Sequence, residues 1–201
     1  MFITLEGIDG AGKSTQAEAI GNWLRWRNIP RVITREPGSR SDRVCEAIRR
    51  ATKMDGLDDT AAMLLYLADR AQHISKVIKP ALDRGDWVVS DRFSDSTLVY
   101  QPPSCQRLMY EIIPAIGTTA IPDLTLLLDV SPKVAADRCM IRDAKPADVG
   151  ELVSLRRRYL SVVERDIDRW RIIDGEGTPE DVTERIEAVL SKLNVRRGLT
   201  K

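Results

Sequence analysis

The sequence predicts an α/β protein in three layers, a five-stranded parallel sheet flanked by helices. Three observations lead there. Strand-like runs alternate with helix-length amphipathic stretches along the whole chain. Several strand candidates end in a charged group, namely Glu6, Arg35, Asp91 and Asp129, which suits a sheet whose ligands gather beyond the carboxyl ends of its strands. The chain has 201 residues, 43% of them hydrophobic and 30% charged. That is enough to bury a core without disulfides or metals, as one domain over 1–201 with a small lid.

The elements follow in order. A strand is expected at Phe2–Glu6, then a helix at Lys13–Arg27 and a strand at Arg31–Arg35. Helical patterns cover Asp42–Lys53 and Asp58–Arg84 before the third strand, Trp87–Asp91. In Asp58–Arg84 the main apolar stripe is Ala61, Leu64, Leu65, Ala68, Ala71, Ile74, Ile78 and Leu82, with Tyr66, Arg70, His73 and Val77 roughly opposite. The helix Ser94–Gly117 leads to the fourth strand, Leu124–Asp129. Helices Pro132–Ile141 and Val149–Arg169 flank a polar stretch, Arg142–Gly150, that contains Pro146 and reads as a mobile flap; the lid is expected at about 140–152. The strand Arg171–Asp174 and the helix Pro179–Leu193 complete the pattern, with the last six residues as a frayed tail.

The bulk charge excludes some partners. A net charge of +1 gives no general attraction to nucleic acid or to an anionic membrane, so any polyanion must be held by local basic groups. Cys45, Cys105 and Cys139 show no pairing or metal spacing and read as free thiols of a reducing compartment. With no secretory signal and no long apolar run, a cytoplasmic protein is expected.

The segment Gly7-Ile8-Asp9-Gly10-Ala11-Gly12-Lys13-Ser14 fits G-x-x-x-x-G-K-[ST], between an apolar strand and an amphipathic helix. This is a P-loop, and the expected fold is that of P-loop nucleotide-binding proteins. Glycines let the backbone curl so that successive N–H groups face phosphate oxygens, and the following helix adds the positive end of its dipole. Lys13 can reach the β- and γ-phosphates of ATP, and Thr15 extends the motif. The Ser14 hydroxyl is a candidate ligand for Mg²⁺, with Asp91 as the second. The cradle fixes a triphosphate but not a reaction: a GTPase switch, an ATPase motor and a small-molecule kinase all remain open.

Two arginines narrow the choice. Arg35 opens Arg35-Glu36-Pro37-Gly38, and Arg92 follows Asp91. A guanidinium gives a planar two-pronged grip on phosphate, so a pair away from the cradle suggests a second phosphorylated ligand. The plainer alternative is ion pairing with the neighbouring Glu36 and Asp91. Tyr66 and Arg70 lie four apart on one helix, where a ring and a guanidinium could hold a base. His73 is expected to be structural.

Taken together these segments resemble the thymidylate kinase family. The resemblance rests on Phe2–Gln16, Thr34-Arg-Glu-Pro-Gly38, Leu65-Tyr-Leu-Ala-Asp-Arg-Ala-Gln-His73, Val88–Thr97 with Tyr100-Gln101, and Pro122–Val130, in family order. It implies transfer of the γ-phosphoryl group of ATP to dTMP with Mg²⁺, in a homodimer. It also implies residue roles. Lys13 and Ser14 serve the ATP phosphates and metal, and Asp9 faces the acceptor's 3′-hydroxyl. Tyr66 stacks on thymine and Arg70 contacts the base edge. Arg92 bridges the two phosphates. Ser96, Thr97, Tyr100 and Gln101 line the base and sugar pocket, with Tyr100 excluding a 2′-hydroxyl. Arg138 packs on adenine. Some family members carry an arginine directly after the loop aspartate; Gly10 stands there here, which moves the missing cation to the lid, with Arg142 the candidate and Lys145 behind it.

Three segments depart from the family pattern. Ser39-Arg40 replaces a glycine, Pro102-Pro103-Ser104 follows Gln101, and the lid is short and lacks Asp-Arg-x-Glu. These changes keep two alternatives in view: a kinase for dUMP or a 5-modified dUMP, and a nucleotide-binding regulatory module without turnover.

Overall fold

The structure, a computed structural model, describes residues 1–38, 42–102, 105–117, 120–144 and 146–196. Its five strands are β1 (Phe2–Glu6), β2 (Arg31–Arg35), β3 (Trp87–Asp91), β4 (Leu124–Asp129) and β5 (Trp170–Asp174). All pair in parallel, in the order β2-β3-β1-β4-β5. Parallel neighbours need crossovers, and the intervening helices supply them. The chain reverses its direction of winding at β1, so the turn after β1 opens at the switch point between β3 and β4, where ligands of such sheets bind.

The helices are α1 (Lys13–Trp26), α2 (Arg43–Ala51), α3 (Asp59–His73), α4 (Lys79–Asp83), α5 (Ser94–Tyr100), α6 (Gln106–Gly117), α7 (Pro132–Asp143), α8 (Val149–Val163) and α9 (Pro179–Arg196). Asp42, Asp58, Ser131 and Asp148 cap α2, α3, α7 and α8 by accepting N–H groups of the first turn. Every residue of β1 is buried. Its side chains alternate between the two faces. Ile3 and Leu5 join Ile20, Trp23 and Leu24 of α1, whereas Phe2 joins Ile74, Ile78, Ala81 and Val88. Glu6 shares the face of Phe2 and Thr4, under α5 and α8.

Four expected elements need correction. Asp58–Arg84 is not a single α-helix: a π turn over Ile74–Ile78 separates α3 from α4, and the Lys79 N–H reaches back to Ile74 O. Pro80 has no N–H to give the carbonyl four residues earlier, so the ladder slips there. The two faces of α3 are also exchanged. Met63, Leu67, Arg70 and His73 are buried, while Leu64, Ala68 and Ala71 are exposed. The pattern Ser94–Gly117 breaks after Tyr100, because Gln101 precedes a proline and is extended. The pattern Val149–Arg169 ends at Val163, so that the chain can turn and place Trp170 beside Thr125 in the sheet. The polar stretch Arg142–Gly150 is helical at both ends, since α7 runs to Asp143 and α8 starts at Val149. Lys145, Ser39, Arg40, Pro103 and Ser104 lie outside the described residues. Cys45, Cys105 and Cys139 are buried, and none forms a disulfide. No helix among the described residues is long and apolar enough to cross a membrane.

Candidate active site

The turn after β1 wraps one wall of a cavity of about 480 Å³, lined by Asp9, Gly10, Gly12, Lys13, Ser14, Thr15, Arg35, Asp91, Arg92, Arg138, Arg142 and Asp143. Gly7, Ile8 and Ala11 shape this turn without lining it: Ile8 and Ala11 are buried in the core, and Gly7 packs on the Leu128 carbonyl. Gly10 has φ +84°, and a Cβ there would stand 2.2 Å from the Ala135 carbonyl oxygen of α7. A side chain fits at that position only if the loop or α7 shifts, so the loop as built disfavours an arginine there.

Lys13 is held within this turn, its Nζ donating to Gly7 O at 2.9 Å and Ile8 O at 2.8 Å. Burial and the nearby Arg92 push its ammonium down to about 7. A phosphate beside it would reverse that by favouring the charged form. The Ser14 hydroxyl donates to Asp91 Oδ2, and Asp91 Oδ1 is buried with no hydrogen-bond partner. One hydroxyl and one carboxylate with a spare oxygen fit Mg²⁺, which takes few protein ligands and completes its shell with water and phosphate oxygens. Among the described residues no group of three or more His, Cys, Asp or Glu side chains converges on one point.

A second cavity of about 240 Å³ adjoins the first. Asp9, Glu36, Pro37, Tyr66, Asp69, Arg70, Arg92, Phe93, Ser96, Thr97, Tyr100 and Gln101 line it. Of the residues expected around the acceptor, Arg35 alone is elsewhere: it lines the larger cavity, with its Nε buried and unpartnered. Neither arginine takes the neighbour suggested by sequence. Glu36 pairs with Arg70 and His73, and Arg92 pairs with Asp9. His73 is wholly buried between Thr34 and Glu36, a structural role.

Arg70 is fixed by Glu36 Oε2 at 2.8 Å, Phe93 O at 3.1 Å and Thr97 Oγ1 at 2.7 Å, which leaves Nη1 buried and unpartnered. Asp69 accepts Gly38 N at 2.8 Å through Oδ2, and its Oδ1 has no partner. Burial raises its carboxyl above the usual range. Six buried side-chain atoms among the described residues lack a hydrogen-bond partner, and four belong to Arg35, Asp69, Arg70 and Asp91, which line these cavities. An unsatisfied buried group costs about 1–3 kcal/mol. Their concentration at one rim marks a surface made for polar ligands.

Asp9 and Arg92 line both cavities and form the wall between them. Arg92 has φ +72°, a left-handed conformation costing about 1–3 kcal/mol for a residue with a side chain. Its N–H bonds Leu5 O at 2.9 Å, and its carbonyl accepts Ser90 Oγ at 2.7 Å. Behind it lie Glu6 and Tyr159, which sequence reasoning did not select. Glu6 left one signal, a carboxylate closing a strand that is otherwise nearly apolar. Tyr159 left none, since only folding brings α8 to β1. Arg138 donates to Gly175 O at 3.0 Å and Gly177 O at 3.1 Å, which fixes the plane of its guanidinium. Arg142, on α7, pairs with Asp143 at the mouth of the larger cavity.

The family model for thymidylate kinase matches residues 5–186. The chain is 38% identical to a thymidylate kinase of Desulfovibrio desulfuricans, over 98% of each chain. It is 39% identical to a thymidylate kinase of Carboxydothermus hydrogenoformans, over 96% of this chain and 98% of that one. The crystal structure of thymidylate kinase from Ehrlichia chaffeensis superposes with a TM-score of 0.75 at 28% identity, covering 94% of this chain and 98% of that one. A P-loop facing a second cavity across a shared Asp–Arg wall, matched over nearly its full length by these relatives, places the chain in the thymidylate kinase family.

Proposed function

We infer that this chain transfers the γ-phosphoryl group of ATP to dTMP, giving dTDP and ADP, as a single P-loop kinase domain over 1–201 with its lid at about 140–152. The observation that carries this reading is the pair of adjoining cavities, one on the P-loop and one lined by an aromatic ring and a fixed guanidinium, joined at Asp9 and Arg92. A single nucleotide needs one such cavity, and a phosphotransferase needs two that meet.

The acceptor phosphate is already a nucleophile, so the protein's work is alignment and charge neutralisation. The P-loop N–H groups and Lys13 hold the donor phosphates, and Arg138 presents a fixed flat face to adenine. Ser14 and Asp91 would hold Mg²⁺, which would supply neutralisation of phosphate charge. Arg92, on the wall between the cavities, grips the acceptor phosphate, and Arg35 reaches it from the side of the larger cavity. Asp9 faces the sugar 3′-hydroxyl and Tyr100 excludes a 2′-hydroxyl. Tyr66 stacks on the base, and Glu36, Pro37, Ser96, Thr97 and Gln101 shape its pocket. The unpartnered Nη1 of Arg70 is a donor, which suits the O4 acceptor of thymine and opposes the amine of cytosine. Arg142 supplies the positive charge that Gly10 cannot carry, once it exchanges Asp143 for phosphate.

The exposed Leu64, Ala68 and Ala71 on α3 support a homodimer through this face, and three buried cysteines outside any disulfide support a cytoplasmic setting. A coupled ADP-release assay with ATP and Mg²⁺ over dTMP, dUMP, dCMP and dGMP tests the function. The expected result is the highest kcat/KM with dTMP. Preference for another acceptor, or ATP binding with no transfer, overturns it.

A further inference from the structure

The Arg92 guanidinium has a front and a back. At the front, Nη2 meets Asp9 and donates to the Tyr100 hydroxyl at 3.1 Å. At the back, Nη1 donates to Ser96 Oγ at 3.0 Å and Tyr159 OH at 3.3 Å. Both hydroxyls donate in turn to Glu6 Oε2, at 2.6 Å and 3.0 Å, while Phe93 N donates to Oε1 at 2.8 Å. Glu6 and Tyr159 are 0% and 1% exposed, so neither meets a substrate. A buried carboxylate is costly unless donors and a cation compensate it. This one has three donors and Arg92, and it sits where the strand pattern would accept an apolar residue.

We propose that Glu6 and Tyr159 are positioning residues for phosphoryl transfer, holding Arg92 from behind through the hydroxyls of Tyr159 and Ser96 and supplying the negative charge that aims it at the acceptor phosphate. This rests on the phosphotransfer reading above, since Arg92 needs aiming only where two phosphates meet. The web also joins parts distant in sequence. Glu6 runs directly into the P-loop, and Tyr159 belongs to α8, the helix that leaves the lid.

The role requires Glu6 to be ionised. The ionisable groups facing it are Arg92 and Asp95, with Tyr159, Tyr100 and Lys13 around them; Asp95 is itself paired with Arg169. Burial and Asp95 push the Glu6 carboxyl up to about 7, against the pull of Ser96, Arg92 and the Phe93 N–H. Activity that needs the carboxylate is therefore lost as pH falls through neutrality.

The test is the pH dependence of kcat at saturating ATP, Mg²⁺ and dTMP for the wild type, Tyr159→Phe and Glu6→Gln. Tyr159→Phe removes one donor from the carboxylate. Its kcat should fall ~10-fold, the scale of one hydrogen bond to a charged group, with little change in KM for dTMP, and its acid limb should move to higher pH. In Glu6→Gln the amide NH₂ takes the place of Oε2 and turns a hydroxyl proton toward Arg92. There kcat should fall ~10²-fold, and the limb belonging to Glu6 should vanish. The substrates' own phosphates titrate nearby, but their ionisation does not follow these substitutions. An acid limb unmoved in Tyr159→Phe, or losses confined to KM or Tm, would overturn the proposal. If Glu6→Gln does not fold, Tyr159→Phe decides alone. A wild type that does not phosphorylate dTMP at all would instead overturn the phosphotransfer reading, and this inference with it.

Discussion

Replacing Gly10 by alanine tests how closely the phosphate loop is built against α7. The new Cβ would lie 2.2 Å from Ala135 O and 2.9 Å from Ala135 C and Cα, at φ +84°. The left-handed backbone costs an L-residue about 1–2 kcal/mol. The overlap is with main chain, which no rotamer change relieves, so loop or helix must shift, at about 1–3 kcal/mol. Together these reach roughly 2–5 kcal/mol, and at ~2–4 °C per kcal/mol for a chain of this size Tm should drop by about 5–15 °C. Gly12→Ala is the control. Its φ is +92°, but nothing lies within 4 Å of its Cβ, so the backbone term alone predicts a drop of about 2–8 °C. Differential scanning calorimetry on both variants reads the difference. Equal Tm losses would refute the argument that α7 closes the space over Gly10, and with it the steric reason for seeking the catalytic cation in the lid. Gly10→Arg, which carries the same Cβ, should be no more stable than Gly10→Ala.

Three further substitutions probe the site. Lys13→Ala should abolish turnover while circular dichroism and Tm show a folded protein; wild-type-like turnover would remove the P-loop from the mechanism. Arg142→Ala should lower kcat by ~10²–10³, as loss of one transition-state charge partner does, and raise KM for dTMP far less. An unchanged kcat in steady-state assays would assign the neutralising charge to another group. Arg70→Lys keeps a cation beside the buried Glu36 but loses the fork held by Phe93 O and Thr97. KM for dTMP should rise ~10-fold or more, on the scale of 1.5–3 kcal/mol for charged hydrogen bonds, and an unchanged KM would separate Arg70 from the base edge.

The sheet was legible because it depends on local pattern. Four strands occupy their expected limits, and the fifth gains only Trp170. The phosphate loop was legible because its chemistry fixes both residue types and spacing. The faces of α3 were not. Leu64, Ala68 and Ala71 look like a core stripe by periodicity, yet the buried face carries Arg70 and His73, whose polar atoms, Arg70 Nη1 apart, find partners in Glu36, Thr34, Phe93 and Thr97. Periodicity registers hydrophobicity, and it cannot register a charge satisfied by a partner thirty residues away. The partners of Arg35 and Arg92 were equally hidden, because adjacent carboxylates suggest pairs that strand geometry does not allow. Glu6 and Tyr159 meet only when β1 and α8 pack, across 153 positions of sequence.

The wall formed by Asp9 and Arg92 has a thermodynamic corollary. A residue pair common to two binding cavities makes their occupancies interdependent. The first nucleotide to arrive must redirect the ion pair and bears the cost of parting it, and the second meets side chains already redirected. By linkage, whatever factor ATP contributes to dTMP affinity, dTMP returns to ATP. The two binding events are thereby joined through a single guanidinium, which lines both cavities.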